Sequence, residues 1–155
     1  MLLLSPIYII DVSEDEEILV ASYFDGRVEV YHKNGSIFTL HQTLTDASNS
    51  ILYVDLSTNG QKLATFEMST NFTRIYENNS GMFILKQMLS IPFRAYEIFL
   101  EESLMEIHGL SPLILVFELA GGAFTLAQTI TTNETVIYEM KMEGDMSKFA
   151  FGGIS

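Results

Sequence analysis

The 155-residue chain contains no cysteine and no tryptophan. Without cysteine there are no disulfides, no thiolate zinc sites and no thiol nucleophiles. That absence also fits a reducing, cytoplasmic setting. Basic residues are scarce: 8 Lys and Arg stand against 20 Asp and Glu, for a net charge of −12. Such a surface repels phosphate backbones and anionic lipid, so neither nucleic acid nor a membrane surface is an expected partner. A basic partner would suit it, although acidity also serves plain solubility. Long apolar runs are missing too, and none approaches the ~18 residues of a membrane span. The apolar opening from Met1 to Ile7 has no basic region, and acidic residues follow at Asp11 and Glu14–Glu17. It reads as part of a first strand rather than as a signal peptide. The sequons at Asn34, Asn71, Asn78 and Asn133 then read as chance matches in an Asn-, Ser- and Thr-rich chain.

What is present is a repeat. One phrase occurs three times: Phe38-Thr39-Leu40-His41-Gln42, Phe83-Ile84-Leu85-Lys86-Gln87 and Phe124-Thr125-Leu126-Ala127-Gln128. Its glutamines are 45 and 41 residues apart. A second phrase precedes it each time, at Val28-Glu29-Val30-Tyr31, Thr73-Arg74-Ile75-Tyr76 and Ile114-Leu115-Val116-Phe117, with the same steps. A third anchor opens the units at Asp11-Val12-Ser13 and Asp55-Leu56-Ser57, and Met140 through Ala150 matches it in a fourth, incomplete unit. The third unit matches poorly between Tyr96 and Met105.

Each unit holds four short segments rich in Val, Ile, Tyr, Phe and Thr, with partial alternation. In the first unit they cover Tyr8–Ser13, Ile18–Tyr23, Val28–His32 and Ser36–Leu44. Asp25-Gly26, Asn34-Gly35, Asn59-Gly60 and Gly121-Gly122 supply turns that need positive φ, and Pro112 marks another. No segment sustains the i, i+3, i+4 spacing of a helix. Four strands every 40 to 45 residues is the spacing of a β-propeller blade. One blade cannot cover both of its faces alone, so neighbouring blades stack.

The residues also resemble a family. Val54-Asp55-Leu56-Ser57-Thr58-Asn59-Gly60-Gln61-Lys62-Leu63-Ala64 looks like the strand followed by Ser-x-x-Gly-x-x-Leu-Ala that opens WD40-like repeats. Ser13 through Val20 and Asp25-Gly26-Arg27-Val28-Glu29-Val30-Tyr31 resemble its continuation. Tyr31, Tyr76 and Phe117 stand where that family places the tryptophan of its Trp-Asp pair. The chain departs from the pattern in having no tryptophan and no Gly-His pair; Gly109 follows His108 instead. The family's buried hydrogen-bond network is therefore not assigned to residues here. The expected fold is all-β: a single divergent WD40-like segment over 1–155, with repeats at about 7–50, 51–93 and 94–133 and a partial one at 134–155. About three and a half four-stranded antiparallel blades make an incomplete ring. Further blades, from the same or another chain, are expected to complete it.

No catalytic, metal or cofactor constellation emerges, so no cofactor is expected. Asp11-x-Ser13-x-Asp15 has the start of a calcium loop, but Glu16 replaces the required glycine and Ser22 the bidentate glutamate. Glu14–Glu17 reads as a solvated loop. His32, His41 and His108 have no metal-ligand spacing and read as structural. No serine lies in G-x-S-x-G. Gly121-Gly122 and Gly152-Gly153 read as a turn and a strand end. Gln42, Gln87 and Gln128 recur at one strand position and read as structural. Met88, Met105, Met140, Met142 and Met146 read as filling between blades. The resemblance implies a non-catalytic protein-interaction scaffold belonging to a longer propeller protein. The loops at Glu14–Glu17, Asp46–Asn49 and Asn59–Gln61 are candidate contacts by position. The rival reading is a propeller-fold hydrolase or lyase, for which Asp11 and Asp55 would be the carboxylates nearest the centre.

Overall fold

In a computed structural model, described over residues 5–47, 50–142 and 149–154, the chain folds into fourteen antiparallel strands and no helix among the described residues. Blade 1 holds β1 (Ile7–Val12), β2 (Ile18–Tyr23), β3 (Val28–Asn34) and β4 (Ile37–Leu44). Blade 2 holds β5 (Ile51–Leu56), β6 (Lys62–Glu67), β7 (Phe72–Asn79) and β8 (Met82–Ser90). Blade 3 holds β9 (Ala95–Leu100), β10 (Leu104–Gly109), β11 (Leu113–Ala120) and β12 (Ala123–Thr131). A half-blade holds β13 (Val136–Met142) and β14 (Phe149–Ile154). Strand order follows sequence order in every sheet, as hairpin connections require. The third unit, weak in sequence, forms a full blade.

The inner strands β1, β5, β9 and β13 lie next to one another in that order. Each blade therefore has an upstream face, toward the preceding blade, and a downstream face. Blade 1 meets blade 2 through Val20, Val28 and Val30 against Val54, Leu56, Leu63 and Phe83. Blade 2 meets blade 3 through Ala64, Phe66 and Ile75 against Ile98, Met105, Ile107 and Phe124. The half-blade adds Ile137 against Leu104, Ile114 and Val116. Burying each large apolar side chain is worth roughly 1.5–3 kcal/mol, so these inter-blade layers are the main source of stability. Met105 belongs to such a layer, but Met88 is exposed, contrary to the filling role expected of it. The side chains of Met140, Met142 and Met146 lie outside the described residues.

Two regular bulges shape each blade. Strands three and four slip by one residue opposite Val30/Tyr31, Ile75/Tyr76 and Val116/Phe117. The unpaired residues are His41, Lys86 and Ala127. Residues four apart on a flat strand share a face. The bulge breaks that rule. It turns Phe38 and Phe83 upstream while Gln42 and Gln87 face downstream. The inner strand of each unit bulges as well, between Ile7 and Ile10 and at Leu52, Tyr96 and Tyr138.

Gly109 ends β10 where the chain of the preceding loop crosses it. A Cβ there would sit 2.1 Å from the Arg94 carbonyl oxygen, which accepts the Leu110 N–H at 2.9 Å. The reversed His108-Gly109 order thus has a steric reason of its own.

Candidate interaction surface

The repeat places one set of polar side chains at each blade junction. Gln42 donates from Nε2 to the Phe83 carbonyl and accepts the Phe83 N–H at Oε1, both at 2.8 Å. Gln87 does the same to Phe124, again at 2.8 Å twice. A carboxamide offers one donor and one acceptor side by side, which matches the paired N–H and C=O of one strand residue. Each clasp satisfies the free edge of the following blade's outer strand. Gln128 holds the same register opposite Val116 and is exposed.

A second fastening lies at the inner strands. Asp11 Oδ2 accepts the Leu56 N–H at 2.7 Å, and Asp55 Oδ2 accepts the Leu100 N–H at 2.5 Å. The equivalent residue in blade 3 is Phe99, so the series stops there. Burial raises the Asp11 carboxyl above its usual range, against the lowering effect of the backbone N–H groups of Leu56 and Val12. Asp55 is pushed up to about 8, first by burial and then by the charge of Asp11. The two border a central cavity of about 180 Å³ with Tyr53 and Glu97. Both carboxyl groups are thus tied to the backbone of the next blade's inner strand.

The third histidine lies at the junction of blade 3 with the half-blade. Glu106 and His108 occupy the downstream positions that Ala64 and Phe66 hold in blade 2. His108 Nδ1 is 3.1 Å from Glu106 Oε1, and both residues are fully buried. Nε2 lies 3.3 Å from Glu97 Oε2, within ion-pair range but without the alignment of a hydrogen bond. Burial alone would lower the imidazole's pKa; the carboxylates of Glu106 and Glu97 push it up to about 9. The spacing of two residues on one strand was the available signal for this pair. His32 and His41 stack with ring centroids 4.1 Å apart, beside Gly81 of blade 2.

Two of the loops expected as contacts do come together. The Glu14 N–H bonds to the Thr58 carbonyl at 3.2 Å, and Thr58 and Asn59 reach Glu101 and Glu102. Glu14–Glu17, Asn59–Gln61 and Glu101–Glu102 therefore share one acidic rim. Asp46 lies at the opposite end of blade 1, in the loop before Ser50, whose hydroxyl bonds to the Phe24 carbonyl. Ser48 and Asn49 lie outside the described residues. Ser13-x-Asp15 forms a turn: Asp15 Oδ1 accepts the Ser13 hydroxyl and the Glu17 N–H. Ser57 and Asn59 build the same turn in blade 2.

An open apolar surface lies on the upstream face of blade 1. Ile10, Val12, Leu19 and Phe38 line a groove of about 480 Å³ with Asp11 and Glu16. Strand register makes these residues the counterparts of Val54, Leu56, Leu63 and Phe83, and of Ile98, Leu100, Met105 and Phe124. Phe38 is 37% exposed, whereas Phe83 and Phe124 are each 2% exposed. Ile10 is 62% exposed against 4% for Val54 and 3% for Ile98. Toward the outer edge of this face Tyr23 and Tyr31 both donate to Glu29, which also pairs with Arg27.

The fold has a solved counterpart. Sqt1 of Saccharomyces cerevisiae matches 93% of this chain with a TM-score of 0.78 at 9% identity. The chain spans 40% of the length of Sqt1. That likeness and the four-stranded sheets establish a WD40-like β-propeller fold, and at so low an identity they speak to fold alone. No family model matches the sequence, and no curated protein is similar to it.

Proposed function

We propose that this chain is a non-catalytic protein-interaction module of WD40-like type, part of a larger propeller assembly. The observation that carries this reading is the wet upstream face of blade 1, whose counterparts in blades 2 and 3 are dry. Large contiguous apolar surface on a rigid scaffold is the mark of a docking site. The acidic rim and the net charge of −12 favour a protein partner with basic character over nucleic acid or anionic lipid. The use of Asp11 and Asp55 as backbone acceptors supports binding over hydrolysis. A cytoplasmic setting, suggested by the lack of cysteine, belongs to the same proposal.

The test is direct binding of a purified candidate partner, measured by calorimetry against the wild-type chain and Ile10→Asp. Saturable binding that Ile10→Asp weakens at least tenfold is the expected result, since a buried charge costs well over ~1.4 kcal/mol. A small-molecule turnover that Asp55→Asn abolishes, with no protein partner needed, would instead establish the enzyme reading.

A further inference from the structure

We infer that Asn34-Gly35 is a site of spontaneous covalent modification, where the Asn34 carboxamide is lost through a cyclic imide, while the fold withholds the chain's other Asn-Gly pair, Asn59-Gly60, from the same reaction. This goes beyond the interaction-module reading and does not depend on it. Asparagine is a labile residue, and a following glycine leaves the next backbone nitrogen without a flanking side chain. The chain contains two such pairs. Both asparagines are exposed, and both glycines have nearly the same positive φ, 65° at Gly35 and 66° at Gly60. Exposure and local backbone therefore do not separate the two sites; their hydrogen bonds do. Asn59 Oδ1 accepts the Ser57 hydroxyl and the Gln61 N–H, each at 3.0 Å, and Nδ2 donates to Glu102 Oε1 at 2.6 Å. The nitrogen that would attack, Gly60 N, is itself bonded to the Ser57 carbonyl at 2.7 Å. At the first site none of this holds. Asn34 ends β3 opposite Ile37, and Gly35 and Ser36 alone make the turn. Neither the Asn34 carboxamide nor the Gly35 N–H has a hydrogen-bond partner among the described residues. A Cβ on Gly35 would meet nothing within 4 Å, so the turn has room for a ring to close.

In the first step the Gly35 amide nitrogen gives up its proton and attacks Asn34 Cγ. The N–Cγ bond forms, the Cγ–Nδ2 bond breaks, and the proton leaves with Nδ2 as ammonia. Water then opens the imide, with no change of oxidation state. Opening at Cγ leaves an aspartate at this position. Opening at the former backbone carbonyl leaves an isoaspartate, with the main chain rerouted through Cβ. Either product adds one negative charge to a chain of net −12. That charge falls beside the acidic rim, because the neighbouring Lys33 N–H bonds to the Glu17 carbonyl at 2.9 Å and its ammonium pairs with Glu16. The hairpin tip of blade 1 thus becomes more acidic with age, and the rim gains charge without any enzyme acting on it.

The test follows both pairs in the full chain, held folded in mildly alkaline buffer and, in parallel, unfolded in urea, with circular dichroism reporting the folded state. Peptide mapping after incubation in heavy-oxygen water, with fragmentation that separates aspartate from isoaspartate, reads each site. In the folded chain Asn34 should lose its amide roughly tenfold faster than Asn59 or better, since freeing Asn59 means breaking several hydrogen bonds. In urea the two sites should react at similar rates, because both are Asn-Gly. The product at Asn34 should be a mixture of isoaspartate and aspartate carrying one heavy oxygen. A folded chain in which Asn34 is no faster than Asn59 overturns the inference. So does a gap that survives in urea, which would place the cause in the flanking sequence instead of the fold. Aspartate as the sole product overturns it as well, by replacing the imide with direct hydrolysis of the side-chain amide.

Discussion

The upstream faces of blade 1 and blade 2 offer an internal experiment. Ile10, Val12, Leu19 and Phe38 on one correspond to Val54, Leu56, Leu63 and Phe83 on the other, strand register for strand register. The residue types hardly differ, yet the first set faces water and the second is packed against Val20, Val28 and Val30. The difference lies in what is placed opposite, not in local sequence. A propeller face is therefore a socket whose chemistry is set by repetition, and it reads the same whether filled or empty.

The sharpest way to break this comparison is truncation at the paired phenylalanines. Phe83→Ala should destabilise the chain by about 3–4 kcal/mol, from lost burial and a residual cavity. Phe38→Ala, at the equivalent site, should cost only about 1–2 kcal/mol, since the ring is already 37% exposed. Urea unfolding of both variants gives the two numbers. Equal losses would mean that the blade 1 face is covered in solution.

The clasps come next in size. Gln87→Ala leaves both the Phe124 N–H and its carbonyl without their partner. At about 1 kcal/mol for each lost bond, the expected loss is about 2 kcal/mol, with faster exchange at the Phe124 amide. Gln128→Ala, at the same register but exposed, should stay within about ±0.5 kcal/mol. A large loss at Gln128 would show that an outer strand already rests on it.

How much of this was legible beforehand can be seen in the same phrase. Phe38-x-Leu40-x-Gln42 and its two repeats announced the blade and its period. Simple alternation, however, puts Phe and Gln on one face. The bulge at His41, Lys86 and Ala127 separates them, and no residue type in that position announces a bulge. The clasp was thus visible as a recurrence but not as a contact. Asp11 and Asp55 were visible as equivalents near the centre, yet their partners are backbone N–H groups 45 residues away, which side-chain identity does not encode. Blade 3 was faint for a related reason. There Phe99, Glu106 and His108 replace Asp55, Ala64 and Phe66, so its downstream face is built on an ion pair instead of the repeat's apolar residues. The candidate surface itself was hidden, because an open face and a filled one have the same sequence.

Asp55 gives a pH-dependent form of the comparison. Its folded pKa is raised to about 8 from the 3.8 of a free aspartate, so the folded chain binds more protons than the unfolded one between these values. Stability from this group is full below the unfolded value and is lost as pH rises toward 8. Asn in its place cannot ionise and keeps an oxygen for the Leu100 N–H. Asp55→Asn should therefore match the wild type near pH 3 and exceed it by about 1–2 kcal/mol at pH 5, with the gap widening as pH rises toward 8. Parallel pH–stability curves for the two proteins would show that Asp55 ionises freely.

The smallest expected effect compares two turns of identical design. In blade 2 the residue after Asn59 is Gly60, with φ 66°, and its N–H bonds to the Ser57 carbonyl at 2.7 Å. In blade 1 the same place after Asp15 is Glu16, with φ 58° and its N–H on the Ser13 carbonyl at 2.8 Å. A side chain in this left-handed region costs about 1–2 kcal/mol. Against that, glycine adds ~0.4–1 kcal/mol of unfolded-state entropy. The exposed Glu16–Lys33 pair at 3.3 Å is worth only a few tenths, about 0.3 kcal/mol. Glu16→Gly should thus stabilise the chain by about 0.5 kcal/mol, read as a higher urea midpoint at unchanged slope. Gly60→Ala should act in the opposite direction and more strongly, because its Cβ would also meet Ile18 Cδ1 at 3.1 Å. If Glu16→Gly instead lowers the midpoint, the Glu16 side chain contributes more to blade 1 than its contact with Lys33, and the two turns are not equivalent in energy.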